Sequence, residues 1–178
     1  MDLVRITGQH PYLTPIHGWY EASFPPEERR QFGKLLQLLP HPDMHLCALV
    51  QAGQPVGFII YWQWPDAGEL FIEHFAIDPD RRGQQLGQQA LAQVLHIPAA
   101  YYLLEAELPT DDLSKRRIQF YERQGFQVND FPYAQPPYQP GNPPIPMKLL
   151  SQPVIHAQAA FNKLSRLIEE RVYRQFYH

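Results

Sequence analysis

Apolar positions in this chain recur with two spacings, every second residue in some stretches and every third or fourth in others. Residues 3–7 read as a short strand closed by Gly8. Residues 11–24 suit a helix that carries Leu13, Ile16, Trp19 and Tyr20 at helical spacing. A second helix is predicted to begin at Pro25-Pro26-Glu27-Glu28, where proline is tolerated and carboxylates complement the helix dipole. It runs through Phe32, Leu35, Leu36 and Leu39 and stops at Pro40. Residues 46–51 and 56–64 form two strands about the turn Ala52-Gly53-Gln54-Pro55, a hairpin signal. A further strand covers 69–77. After Asp78-Pro79-Asp80, a helix over 86–95 presents Leu91, Val94 and Leu95.

The second half continues with a strand over 101–107 and a helix over 114–124 that ends at Gly125, a favoured C-terminal glycine. Residues 126–131 resume the sheet. Residues 131–146 hold seven prolines in sixteen positions and are predicted to be an extended loop, because proline cannot donate to a central ladder. A last short strand covers 147–150. From Val154 onward, Val154, Phe161, Leu164, Ile168, Val172 and Phe176 recur at helical spacing, giving a terminal amphipathic helix. That helix either covers the domain's own sheet or forms the seam of a homodimer. Hairpins first and helix-linked strands afterwards indicate a mixed α/β sheet in one domain, residues 1–178, with a core of 1–150 and a helical extension of 151–178.

Composition narrows the function classes. With 178 residues and 44% apolar content, the chain can bury a real core. A net charge of -3 argues against a module built to grip nucleic acid. No run approaches the roughly 20 apolar residues of a membrane span, and Met1-Asp2-Leu3-Val4-Arg5 does not read as a signal peptide. The single cysteine, Cys47, lies in an apolar run, reads as a buried structural thiol, and fits a reducing, cytoplasmic setting. His41 and His45 flank a proline with no matching ligand cluster, so no metal site is expected.

The chemistry concentrates in residues 71–87, where a strand enters a polar turn with two glycines and then a helix. The opening amides of a helix have no internal acceptor and point outward, and its dipole adds positive potential, so such a junction attracts phosphate oxygens. Gly83 and Gly87 let the main chain approach a ligand, and Arg82 supplies a fixed charge. The turn lacks the Gly-Lys-Ser/Thr ending of a P-loop, and its glycine spacing differs from the dinucleotide fingerprint.

This segment resembles the cofactor motif of GNAT acetyltransferases, Gln/Arg-x-x-Gly-x-Gly/Ala. Arg82 matches its first position and Gly87 its last, and Gln85 stands where an internal glycine is usual. A second stretch, residues 114–126, is similar to the family's helix Asn-x-x-Ala-x-x-x-Tyr-x-x-x-Gly-Phe. Tyr121, Gly125 and Phe126 match, and Ser114 and Arg117 replace the asparagine and alanine. The likeness covers about residues 56–150. It implies a GNAT-like, mostly antiparallel central sheet flanked by helices, with a C-terminal amphipathic helix beyond it. It also implies acetyl-CoA as cosubstrate and acetyl transfer to a primary amine by direct attack in a ternary complex. Residues 72–79 look like the strand that pairs with pantetheine. The cofactor contacts so implied are Phe75, Ala76, Ile77, Arg82, Gly83, Gln84, Gln85, Leu86, Gly87 and Ser114.

An ammonium must lose a proton before it attacks a thioester, so a base or a water chain is needed. Glu73 is the candidate, directly or through water. Strand alternation places it on a face with Phe75 and Ile77, with His74 packed on the other; a hydrogen-bonded strand carboxylate is the competing role. A backbone N–H at Phe75, Ala76 or Ile77 suits the developing oxyanion. By resemblance, Tyr121 protonates the departing thiolate, against a purely packed ring. Lys115, Arg116 and Arg123 either approach a 3′-phosphate or form a solvated face. Tyr20, Tyr133 and Tyr138 are candidate contacts of the acceptor, a small-molecule or peptide amine. The proline-rich segment is otherwise a structural lid or a ligand for another protein. The competing function is a non-catalytic acyl-CoA-binding module.

Overall fold

A computed structural model describes residues 1–177 and divides the chain into two compact units, Met1–Ala99 and a second beginning at Ala100. The first contains strands β1 (Asp2–Ile6), β2 (Met44–Gln51), β3 (Gln54–Trp64) and β4 (Glu69–Ile77), with helices α1 (Leu13–Ser23), α2 (Phe32–Gln37) and α3 (Leu86–Val94). Its strands form an antiparallel meander, β1 on β2, β2 on β3 and β3 on β4. The β2–β3 turn closes over Ala52 and Gly53, both at positive φ, the backbone twist that a tight hairpin demands. Both faces of β2 and β3 are buried for most of their length, which is why these strands read as apolar runs rather than alternating ones. α1 lies on β3 and β4 through Tyr20, whose ring meets Phe58 edge-on at 6.0 Å.

One predicted element differs. In place of a single helix from Pro25 to Leu39 there is a 3-10 turn, Pro26–Glu28, then extended backbone, then the short α2. The break falls at Arg29, at φ -146° and ψ 159°. Tertiary contacts outweigh helix propensity here. Arg29 Nε donates to the carbonyl of Phe24 at 2.9 Å, and the Arg30 side chain turns inward to an ion pair.

The second unit contains β5 (Tyr101–Glu107), β6 (Gln127–Val128), β7 (Tyr133–Gln135) and β8 (Ile145–Gln152), with helices α4 (Asp112–Arg123) and α5 (Gln158–Ile168). β8 is its hub, pairing antiparallel with β5, β6 and β7. α4 starts at a capping box in which Asp111 accepts from Ser114 N–H at 2.7 Å while Asp111 N–H donates back to Ser114 Oγ. Gly125 stands at φ +94° just past its end. The proline-rich segment is not wholly loop. Tyr133–Gln135 form β7 between Pro132 and Pro136, and Pro146 lies within β8 opposite Ala134. Two or three residues between prolines suffice for a short edge strand, which sequence pattern alone does not reveal.

α5 follows the predicted periodicity as far as Ile168 and then widens into a π-turn, Glu169–Tyr173, that keeps Val172 and Tyr173 buried. Phe161 packs on Phe131 and Tyr133, and Leu164 and Ile168 of the same apolar stripe are buried. The fold is mixed α/β with mostly antiparallel strands and a C-terminal helix. Among the described residues no helix is long and apolar enough to cross a membrane, and no group of three or more His, Cys, Asp or Glu is placed to hold a metal.

Candidate active site

β4 delivers the chain into the expected phosphate turn. Asp78 organises the exit, accepting from Asp80 N–H at 3.1 Å through its side chain and from Arg81 N–H through its carbonyl. Residues 82–85 are exposed. Gly83 has φ +79°, and a Cβ built there would meet no atom within 4 Å, so space is open above the turn. The first backbone bond of α3 runs from Gln89 N–H to Gln85 O, which leaves the amides of Leu86, Gly87 and Gln88 without an acceptor inside the helix. No side chain caps this end. Open amides, a helix dipole and the exposed Arg82 together fit a diphosphate.

Gln85, in the place of the usual glycine, holds φ 59° and ψ 14°, the left-handed region. That conformation costs a residue with a Cβ on the order of 1 kcal/mol, partly offset by the lower entropy of its unfolded chain. Gln85→Gly is therefore expected to leave stability unchanged or raise it by up to about 1 kcal/mol in urea unfolding. A clear loss of stability there would show that the carboxamide holds the turn.

The strand before the turn is bulged. Ile60 pairs with His74 and Tyr61 with Ile72, so Glu73 is an extra residue on β4. The bulge alters the expected facing. Glu73 does not lie with Phe75 and Ile77; its carboxylate turns to the face of Trp62 and His74. Trp62 Nε1 donates to Glu73 Oε2 at 2.7 Å, and Arg30 Nε stands 3.4 Å from Oε1. The Glu73 side chain is 1% exposed although the residue as a whole is half-buried, so the accessible part of Glu73 is main chain. His74 packs as expected, edge-on to Phe24 at 4.4 Å, with Nε2 donating to the carbonyl of Glu28 at 3.0 Å. Burial holds its imidazole below the usual histidine range, and hence neutral.

Beyond the bulge, Asp78 N–H donates to Val56 O at 2.9 Å, which fixes the direction of the preceding amides. By antiparallel alternation, Ala76 N–H faces β3, while those of Phe75 and Ile77 point away from it. Ala76 N–H is thus turned into the pairing with β3, which corrects its reading as a cofactor contact, while the Phe75 and Ile77 amides lie on the other edge of β4.

On α4, Tyr121 is 8% exposed and lies edge-on to Phe126 at 6.0 Å. Burial pushes its phenol up to about 12, with Arg117 pulling the other way, so it stays protonated through neutral pH. Ser114 is also buried, and its Oγ donates to Asp111 while accepting from Asp111 N–H. This changes its reading as a cofactor contact: the cap uses the one hydroxyl proton, so Ser114 Oγ has no donor left for a phosphate or carbonyl oxygen. Arg117 pairs with Glu107 on β5 at 2.6 Å, which accounts for an arginine at the position where the motif has alanine.

The three tyrosines expected at the acceptor have structural roles. Tyr20 is fully buried, and its hydroxyl accepts from Arg30 N–H at 3.0 Å, so it has no surface to offer a substrate. Tyr138 packs on Tyr173 at 4.9 Å between ring centroids. Tyr133 donates to Glu105 at 2.5 Å, alongside Gln135 and Tyr173, and also lines a groove of about 980 Å³ between the proline-rich segment and α5. That groove carries Arg166 and Arg174 against Glu169, a balance that does not attract an ammonium group. Arg30 and Trp62 escape a sequence reading altogether, since neither belongs to a motif and only the bulge brings them to Glu73.

The bulged β4 thus runs through the Asp78 turn into a helix whose N-terminus carries no side-chain cap. The chain belongs to the Acetyltransferase (GNAT) family, whose model matches residues 13–126. Its structure is similar to that of a protein described as a GNAT-family acetyltransferase from Bacteroides thetaiotaomicron, with TM-score 0.88, 28% identity, and coverage of 97% of this chain and 98% of that one. It is also similar in fold to an aminoglycoside 6′-N-acetyltransferase complexed with coenzyme A, at TM-score 0.60 and 15% identity, covering 85% and 96% of the two chains. A GNAT-family acetyltransferase from Elizabethkingia anophelis with acetyl-CoA bound has TM-score 0.58 and 16% identity over 84% and 95%. No protein of curated function matches the chain.

Proposed function

We propose that this protein transfers the acetyl group of acetyl-CoA to a primary amine by direct attack in a ternary complex. The observation that carries the reading is the open N-terminus of α3 directly after the bulged β4. Arg82, Gly83, Gln84, Gln85, Leu86 and Gly87 would hold the diphosphate of coenzyme A, through main-chain amides and one guanidinium. Phe75 and Ile77, with amides directed away from β3, would bind the pantetheine arm and polarise the thioester carbonyl. When bound, acetyl-CoA supplies an acyl group already activated as a thioester.

Tyr121 holds a proton at Oη throughout the neutral range and is the proposed donor to the thiolate. The amine's own proton leaves through water. In this reading Glu73 does not reach the amine, because its side chain is buried and both carboxylate oxygens are engaged by Trp62 and Arg30. Direct contact between Glu73 and the amine is therefore set aside.

One observation favours a second reading, a non-catalytic acyl-CoA-binding module: Ser114 and Arg117, the two departures in the α4 motif, are both engaged in structural contacts. The two readings separate in one experiment. Acetyl-CoA is expected to bind in calorimetry and raise the melting temperature, and an amine panel holding spermidine, aminoglycosides and peptides is expected to release free thiol. Binding without release from any amine selects the module. Absence of both heat and melting shift rejects the cofactor assignment.

A further inference from the structure

The segment between α1 and α2 is fastened to the bulge of β4 by buried polar contacts that no motif contains. The Arg30 side chain is 5% exposed and that of Glu73 1%, and their charged atoms approach to 3.4 Å. The second Glu73 oxygen accepts from Trp62 Nε1 at 2.7 Å. Neighbouring contacts fix the same segment: Arg30 N–H donates to Tyr20 Oη at 3.0 Å, His74 Nε2 donates to Glu28 O, and Phe24 meets His74 edge-on. A carboxylate this deeply buried persists only with its charge and lone pairs matched, and Arg30 and Trp62 do that matching. What Glu73 exposes is backbone, at the point where β4 departs from regular pairing.

We propose that Arg30 is a positioning residue: through its buried pair with Glu73 it clamps the α1–α2 segment to the bulge and sets the exposed backbone of β4. The inference rests on the acetyl-transfer reading above, which makes that backbone part of the site. In this arrangement the Glu73 charge contributes to turnover by holding the strand, and Arg30 contributes as much as Glu73 does. A base and a clamp then differ in how the two residues combine. Removing one charge of a buried pair leaves the other without its countercharge, whereas removing both restores the balance between them.

The test is a double-mutant cycle of Arg30→Gln, Glu73→Gln and the double variant. Three readouts are taken: urea unfolding, acetyl-CoA calorimetry, and thiol release with the best amine of a panel holding spermidine and kanamycin. Each single variant is expected to lower the urea midpoint and to reduce kcat about tenfold, with the acetyl-CoA Kd within about threefold of wild type. The double variant is expected to recover kcat and midpoint to within about threefold and to near the wild-type value, respectively. A double variant as slow as Glu73→Gln alone would assign Glu73 to proton transfer and overturn the proposal. So would single variants that unfold and turn over like wild type.

If a single variant fails to fold, Trp62→Phe removes one donor to Glu73 while keeping an aromatic ring and both charges. It is expected to lower kcat several-fold with acetyl-CoA binding retained, and wild-type turnover would overturn the clamp. Wild-type protein that gives no heat with acetyl-CoA rejects the acetyl-transfer reading itself, whereas the unfolding cycle still reports whether the pair is coupled.

Discussion

Tyr121→Phe is expected to lower kcat about a hundredfold while the acetyl-CoA KM stays within about threefold, the scale at which a positioned proton donor contributes to a reaction. The change removes one oxygen and leaves the ring against Phe126, so α4 should keep its packing. The phenol lies in a buried position that pushes its ionisation to about 12, and below that pH it carries its proton. The residual rate of the variant should therefore fall by the same factor at pH 6.5 and pH 8.5. Thiol release under saturating acetyl-CoA measures both quantities. Wild-type turnover would show that Tyr121 serves by packing alone, and a large rise in KM with unchanged kcat would make it a binding residue.

The second large effect is on the strand pair that carries the turn. An added Cβ at Gly57 would lie 2.4 Å from the Ala76 carbonyl oxygen and 3.0 Å from the Ile77 Cα, both backbone atoms. Neither can rotate out of the way, so β3 and β4 must separate. Gly57→Ala is expected to cost about 2–3 kcal/mol, seen as a fall of several degrees in Tm. Asp78 is tied to Val56, one residue from the clash, so displacement there also shifts the start of the turn. Acetyl-CoA affinity is expected to drop several-fold in the same variant. Gly33→Ala is the control: its Cβ meets nothing within 4 Å and lies in α2, where alanine is the better helix former. Equal behaviour of the two variants would show that β3 and β4 tolerate the separation.

The contrast between Gly57 and Gln85 bears on how motifs should be read. At Gln85 the motif's usual residue is glycine, and the left-handed backbone there supplies the reason; this chain accepts the strain and keeps the turn. At Gly57 no motif requires a glycine, yet the spacing of two backbones does. Spacing in sequence reports the first kind of requirement and not the second.

Much of the molecule follows from local rules. The β2–β3 hairpin, strand β4, the turn after Asp78, the start of α3 at Leu86 and the glycine stop after α4 all arise from periodicity, turn residues and caps within a few positions of one another. The open amides of α3 belong to this class, because a helix end is defined by its own backbone. Tertiary structure alone decided the rest. The extra residue on β4 depends on register with β3, and that single offset carries Glu73 from the face of Phe75 to the face of His74. The break after the 3-10 turn depends on where Arg30 finds its partner, and β7 depends on β8 lying within reach. In each case the deciding energy is a contact beyond any short local window, a strand pairing for the bulge and β7 and a buried ion pair for Arg30.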